Sequence, residues 1–211
     1  MDDNRPRLML FTPRVLDAAA LIGPLRDALA AGDVAAVVLE LAEADERSLV
    51  NAVKLVAPVV QEKGAALLLA DRPQIVARGG ADGAHLSRLS GLDAALDLLE
   101  GQGRIIGCGG LRLRDEAMAA AEKGVDYVLF GEARPDGSLP APASVIERAA
   151  WWAEIFETPC VAFAPNLEAI DDLAMTGAEF IALADAAWSH AGGPAGAVEA
   201  ALQRLAQRTM A

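Results

Sequence analysis

Arginines stand at Arg14, Arg72, Arg88, Arg112, Arg114 and Arg134, each just beyond a short apolar run, and these are six of the chain's fifteen. A guanidinium fork matches the oxygens of a phosphate or carboxylate in pairs, so such side chains gathered at one end of a fold would form an anion site that needs no metal. Acids in or near the same segments, Glu40, Asp71, Glu132, Asp136 and Asp185, could instead tie the arginines into solvated ion pairs, each worth little. Asp71 is the candidate functional carboxylate, and its competing role is an N-cap two residues ahead of Pro73. His85 is the one histidine placed to act as a base, and its competing role is a buried, hydrogen-bonded ring. His190 lies in a glycine-rich loop and adds no chemistry. Cys108 and Cys160 lack metal-ligand spacing and an adjacent base, so both read as small buried hydrophobes. These residue types call for no cofactor and no metal.

Bringing these residues together requires a repeating scaffold. Short β-type runs over residues 8–11, 34–41, 65–69, 81–86, 104–108, 127–131, 160–163 and 180–183 alternate with helical segments. The helices are expected over 16–31, 46–63, 73–78, 92–100, 114–123, 143–156, 167–175 and 195–207. Gly32, Gly64, Gly79-Gly80, Gly124 and Gly177 each stop a helix just ahead of a strand, as left-handed caps do. Eight strand–helix units predict an α/β fold, a (β/α)8 TIM barrel, as one domain over residues 1–211 with a flexible N-terminus at 1–7. An open doubly wound sheet would bring a glycine-rich phosphate turn after the first strand, and Phe11-Thr12-Pro13-Arg14 is not one. In a barrel the working loops follow the strands, which is where all six arginines fall.

The formal net charge of −12 repels polyanions, so nucleic acid is excluded as a partner. The 54% of hydrophobic residues is broken into short runs, none long enough for a membrane span. The segment from Met1 to Arg7 is polar and only a four-residue apolar stretch follows it, so no leader is expected and a soluble cytoplasmic protein is predicted. Trp151 and Trp152 are adjacent on one helix and cannot both face one core, so one lies half-exposed or marks a self-association surface, making a homo-oligomer an open expectation.

Leu69-Ala70-Asp71-Arg72, followed by Gly80-Ala81-Asp82-Gly83-Ala84-His85-Leu86, resembles the thiamine phosphate synthase family, which includes the thiazole tautomerases. Ile105-Ile106-Gly107-Cys108 and the stretch from Ala121 to Gly131 extend the likeness, which runs from Leu8 to about Asp185. The resemblance implies a barrel that takes a small phosphorylated molecule at its C-terminal face, in thiamine-related metabolism. The ligand-binding candidates, the arginines of the strand-following loops together with the compared positions Glu40 and Gly109, are Arg14, Glu40, Arg72, Arg88, Gly109, Arg112 and Arg134, with Asp71 and His85 as the catalytic candidates.

The same comparison locates four departures. Where the family holds the pyrimidine's diphosphate with glutamine, arginine and lysine at alternate positions of strand 2, this chain has Val38, Glu40 and Ala42. Reversing one charge roughly 4 Å from a phosphate, at an effective dielectric near 20, changes the interaction by several kcal/mol. Of the family's two magnesium aspartates one matches Asp71 and the other falls on Ser90, a poor set for a hard cation. The serine after strand 5 is Gly109, and the threonine-rich, lysine-ending loop after strand 6 is Glu132-Ala133-Arg134-Pro135-Asp136-Gly137-Ser138. The glycine pair ending strand 7 is replaced within Phe163-Ala164-Pro165. The expected function is therefore a divergent, synthase-like barrel binding a phosphorylated ligand, either a transferase or isomerase or a former enzyme. The alternative is a non-catalytic anion-binding or interaction protein on the same fold.

Overall fold

Alternation along the strands sorts side chains between two cores, and that sorting decides which residues reach the barrel mouth. The computed structural model describes residues 5–134 and 136–207. Eight parallel strands pair in chain order and close, β8 lying against β1: β1 (Arg7–Phe11), β2 (Val34–Leu39), β3 (Ala66–Ala70), β4 (Gly83–Leu86), β5 (Ile105–Cys108), β6 (Tyr127–Phe130), β7 (Cys160–Ala164) and β8 (Phe180–Leu183). The helices are α1 (Ala18–Ala30), α2 (Glu46–Gln61), α3 (Val76–Gly79), α4 (Leu92–Leu99), α5 (Arg114–Glu122), α6 (Pro142–Ile155), α7 (Ile170–Leu173), α8 (Asp185–Trp188) and α9 (Gly193–Gln207). This is the (β/α)8 barrel expected from the repeat count.

Met9, Val38, Leu68, Tyr127, Leu129, Val161, Phe163 and Ala182 fill the barrel interior. Their strand neighbours Leu8, Leu10, Leu67, Leu69, Cys108, Val128, Phe130 and Leu183 join the larger core between sheet and helices. Period-2 apolarity on both faces is what a parallel sheet covered by helices requires.

A second pattern ties the bottom of the barrel. Ahead of β4, β6 and β8 the chain reads glycine, one residue, then an acid, in Gly80-Ala81-Asp82, Gly124-Val125-Asp126 and Gly177-Ala178-Glu179. Each glycine is left-handed, and each acid accepts the N–H of a residue on the preceding strand: Leu67, Ile106 and Cys160, at 2.7, 2.7 and 2.8 Å. Charge-assisted bonds of this kind set the strand stagger at the N-terminal end.

Several boundaries differ from expectation. β4 starts at Gly83 rather than at residue 81, because Asp82 spends its side chain on β3. Residues 73–78 and 167–175 form single turns preceded or followed by a 3-10 turn, too short for regular helices. Gly32 is not left-handed, and α1 ends instead at the right-handed Ala31. The short α8 was not anticipated, and the Trp188 indole N–H on it donates to the Phe11 carbonyl at 2.6 Å, closing the last loop over β1. Of the segment expected to be flexible, 1–4 lies outside the described residues and Arg7 already belongs to β1, paired with Asp33 at 2.9 Å. Among the described residues no helix is long and apolar enough to cross a membrane.

Candidate functional site

Asp71, the first residue beyond β3, has a left-handed backbone with φ 51°. Its carboxylate accepts the Ser87 N–H at 2.8 Å and the Ser87 hydroxyl at 2.5 Å, so it fastens the β3 loop to the β4 loop. The N-cap alternative is thereby corrected: the following turn starts after Arg72 with no side-chain cap, because Asp71 points across to the next strand.

His85 is buried on the inner face of β4, and both ring nitrogens are engaged. The Tyr127 hydroxyl lies 2.8 Å from Nδ1, and Glu132 Oε1 lies 3.1 Å from Nε2. Burial first, and Glu132 second, push the Tyr127 phenol well above its ordinary value, so Tyr127 keeps its proton. With that phenol donating to Nδ1, Nε2 would carry the ring proton and face the Glu132 carboxylate as donor. As a candidate base His85 therefore has no free nitrogen, and its evident role is to hold Glu132. The second carboxylate oxygen, Oε2, is buried and accepts no hydrogen bond among the described residues.

Two glycines on β5 and its loop make this chain of groups possible. A Cβ on residue 107 would lie 1.9 Å from the Tyr127 ring, and one on residue 109 would lie 2.0 Å from Glu132 Oε2. Gly109 thus serves the site by leaving room for Glu132, and Gly131 at φ 106° turns the chain so that Glu132 aims back into the barrel.

Two cavities open at this face. A central one of about 870 Å3 sits over the barrel axis and includes Arg14, Arg72, Arg88 and Arg134 among its walls, facing five carboxylates: Glu40, Glu43, Asp71, Glu132 and Asp185. A side cavity of about 970 Å3 lies between the loops after β4, β5 and β6 and the start of α6. It is walled by Arg88, Arg112, Lys123, Arg134 and Arg148, against Asp93, Glu116 and Glu132. Ser87, Arg88, Glu132 and Arg134 line both.

The expected arginine ring is therefore split. Arg72 pairs with Glu43 at 2.8 Å, while Arg114 pairs with Glu147 at 2.9 Å and lies over the Trp151 ring, away from both cavities. Arg112 faces the side cavity alone. Among the described residues Arg14, Arg88 and Arg112 pair with no carboxylate, and Arg134 bonds Ser138 in its own loop at 3.2 Å.

Of the strand-2 positions Val38, Glu40 and Ala42, the first two point as expected. Val38 is inside the barrel, Glu40 lines the central cavity, and the cavity residues that follow, Leu41 and Glu43, carry no cation. Ala42 lines neither cavity, and Ser90 lines only the side cavity. A magnesium ion, which the resemblance implies, is poorly matched: two lone-pair directions of Asp71 are taken by Ser87, and Ser90 faces another cavity. Among the described residues no group of three His, Cys, Asp or Glu is arranged to hold a metal.

Burial above all pushes both thiols up to about 12, and Cys108 faces the helical layer rather than the mouth. Trp152 is buried with its N–H on the Thr158 carbonyl at 2.7 Å, and Trp151 is half-buried beside it. Sequence reasoning missed Ser87, Tyr127 and Arg148 and took Glu132 only for an ion-pair partner. Alternate glycines on β5 facing a bulky Tyr127 on β6 were the available signal; Arg148 gave none, being on a helix rather than in a strand-following loop.

Comparison with known proteins bears on this site. A family model described as "Thiamine monophosphate synthase" matches residues 8–187. The chain is 39% identical over 194 residues to a thiamine-phosphate synthase of Rhodospirillum centenum, covering 91% of this chain and 94% of that one. It is 34% identical over 206 residues to a thiamine-phosphate synthase of Hyphomonas neptunium, covering 93% and 92%. Among solved structures, a thiamine phosphate pyrophosphorylase from Pyrococcus furiosus superposes with a TM-score of 0.78 over 97% of both chains at 22% identity, a likeness of fold.

Proposed function

Because the chain belongs to the thiamine monophosphate synthase family, we propose that it binds a small phosphorylated molecule of thiamine-related metabolism and has given up the diphosphate displacement of a synthase. The observation that carries the binding half is the set of uncommitted guanidiniums, Arg88 and Arg112 above all, on cavity walls at the C-terminal face. An arginine without a counter-ion beside a cavity is the arrangement a phosphate completes. The synthase half rests on β2 and Asp71. A diphosphate leaving from the central cavity would develop charge against Glu40 and Glu43, with no suitable metal pair to neutralise it.

Purified protein supplied with the pyrimidine diphosphate, the thiazole phosphate and magnesium is expected to form no thiamine phosphate above the enzyme-free control. Catalytic formation would overturn that half. Thermal melting against a panel of phosphate monoesters is expected to rise with ligand concentration, as binding to the folded state requires. No rise with any of them would overturn the binding half. A proton-transfer isomerisation is the second reading, favoured by the Glu132 carboxylate backed by His85 at 3.1 Å. Conversion of thiazole phosphate tautomers by the wild type, lost in Glu132→Gln, would establish it.

A further inference from the structure

The two cavities differ in the sign of their charge, and that difference locates the anion. Over the barrel axis carboxylates outnumber cations five to four, and Arg72 is already taken by Glu43. In the side cavity five cations face three carboxylates, in a chain whose formal net charge is −12. Each has a partner elsewhere: Asp93 pairs with Lys123, Glu116 accepts the backbone N–H groups of Arg112 and Leu113, and Glu132 has one oxygen on His85, its other oxygen having no hydrogen bond among the described residues. None is spent on the arginines around it.

Arg148 makes the side cavity a built site. It reaches from α6 with Nε on the Ser144 carbonyl at 3.1 Å and Nη1 on the Leu111 and Arg112 carbonyls at 2.8 and 3.1 Å. The guanidinium also lies 5.9 Å from the centre of the Phe130 ring. These contacts fix its orientation and leave Nη2 without a hydrogen bond among the described residues. Burial, and next the like charge of Arg134, hold its guanidinium below its ordinary value, outweighing the opposite pull of Glu147 and Glu116, and Arg148 forms no ion pair among the described residues. Side chains of one sign repel unless a counter-charge joins them.

We propose that the side cavity is a phosphate seat, in which Arg112, Arg134 and Arg148, with Arg88 on the shared wall, grip the phosphate of a monoester whose body extends past Glu132 into the central cavity. This rests on the phosphate-binding reading above and adds to it a place and a residue, Arg148, on a helix rather than a strand-following loop. The seat selects a terminal dianion over a bulky internal phosphate, since its four guanidiniums come from three different loops and one helix and must converge on one group.

The test is titration of the full-length protein with inorganic phosphate, followed by calorimetry and by thermal melting, in Arg112→Gln, Arg148→Gln and Arg14→Gln. Arg112 makes no side-chain bond among the described residues, so Arg112→Gln carries the test even if Arg148→Gln fails to fold. Each of the two side-cavity variants is expected to weaken phosphate roughly tenfold, the loss typical of a hydrogen bond to a charged group, while Arg14→Gln stays within about twofold. Weakening by Arg14→Gln with Arg112→Gln unaffected would place the anion over the barrel axis and overturn the seat while leaving the phosphate-binding reading intact. Equal weakening in all three would overturn the seat as well, and no response of the wild type to phosphate or to any monoester would overturn both.

Discussion

Two cavities share a wall at the mouth of this barrel, and they treat their charges in opposite ways. Around the central cavity carboxylates are in excess, and several charges are committed: Asp71 to Ser87, Arg72 to Glu43, Glu132 to His85 and through it to Tyr127. Around the side cavity cations are in excess, and its arginines pair with no carboxylate among the described residues. A count of charged residues at a face therefore says little about what the face binds. What decides is which charges already have partners, because a satisfied ion pair offers a ligand no more than solvent does.

The wall shared by the two cavities is where a substitution should have the largest effect. Gly109→Ser puts atoms where Glu132 Oε2 and His85 Nε2 now lie, at 2.0 and 2.9 Å from the new Cβ, and should cost about 2–3 kcal/mol of stability in urea denaturation. Adding Glu132→Ala should restore at least about half of that, since residues in contact couple strongly. Additive losses would mean that the wall is not built on this pair.

Next in size is an alkaline effect on the buried thiols and phenol of the two cores. Burial raises Cys108 from 9.0 to about 12 and Cys160 likewise, and it raises Tyr127 well above 10.0. A group whose folded pKa exceeds its unfolded one stabilises the fold fully below the unfolded value and loses that contribution as pH climbs to the folded one. Stability should therefore be level up to about pH 9 and then fall towards pH 12 by on the order of 1 kcal/mol per pH unit for each such group. A denaturation midpoint that does not move across that window would show that these protons are not held by the fold.

Asp71→Asn separates structure from chemistry. Asparagine tolerates the left-handed backbone and can still accept one of the two Ser87 bonds, so the loss should be about 1 kcal/mol, with phosphate affinity unchanged. A tenfold change in phosphate affinity would return Asp71 to the ligand site. The smallest effect concerns Glu40, which lines the central cavity only. Glu40→Gln should tighten phosphate by no more than about twofold, because a distant, solvent-facing charge is screened within roughly 10 Å. A larger gain would indicate that the anion sits over the axis.

Much of the scaffold was legible along the chain. The eight apolar runs, the left-handed glycines at Gly64, Gly80, Gly124 and Gly177, and the inward setting of Val38 and Glu40 all follow from local period and caps, as does the match to the family. Short elements were not: residues 167–175 have a helical composition, but the loop between β7 and β8 has room only for separate single turns. In the site, Arg112 and Arg114 read alike as arginines after strand 5, yet one faces a cavity and the other stacks on Trp151. The sequence has no local mark for that choice, since Trp151 and Glu147 approach Arg114 from a helix more than thirty residues away.

Strand order, the two-faced apolar pattern and the family were thus determined by the amino-acid sequence itself, because the forces behind them act between residues a few positions apart and repeat eight times. Only the tertiary structure decided which carboxylates are already spent and which guanidiniums remain available, because pairing depends on which loops, distant in the chain, meet at the barrel mouth. A charge acquires its role here from its nearest neighbour in space, and Arg148, brought by α6 to the carbonyls of the β5 loop, is the residue for which that difference is greatest.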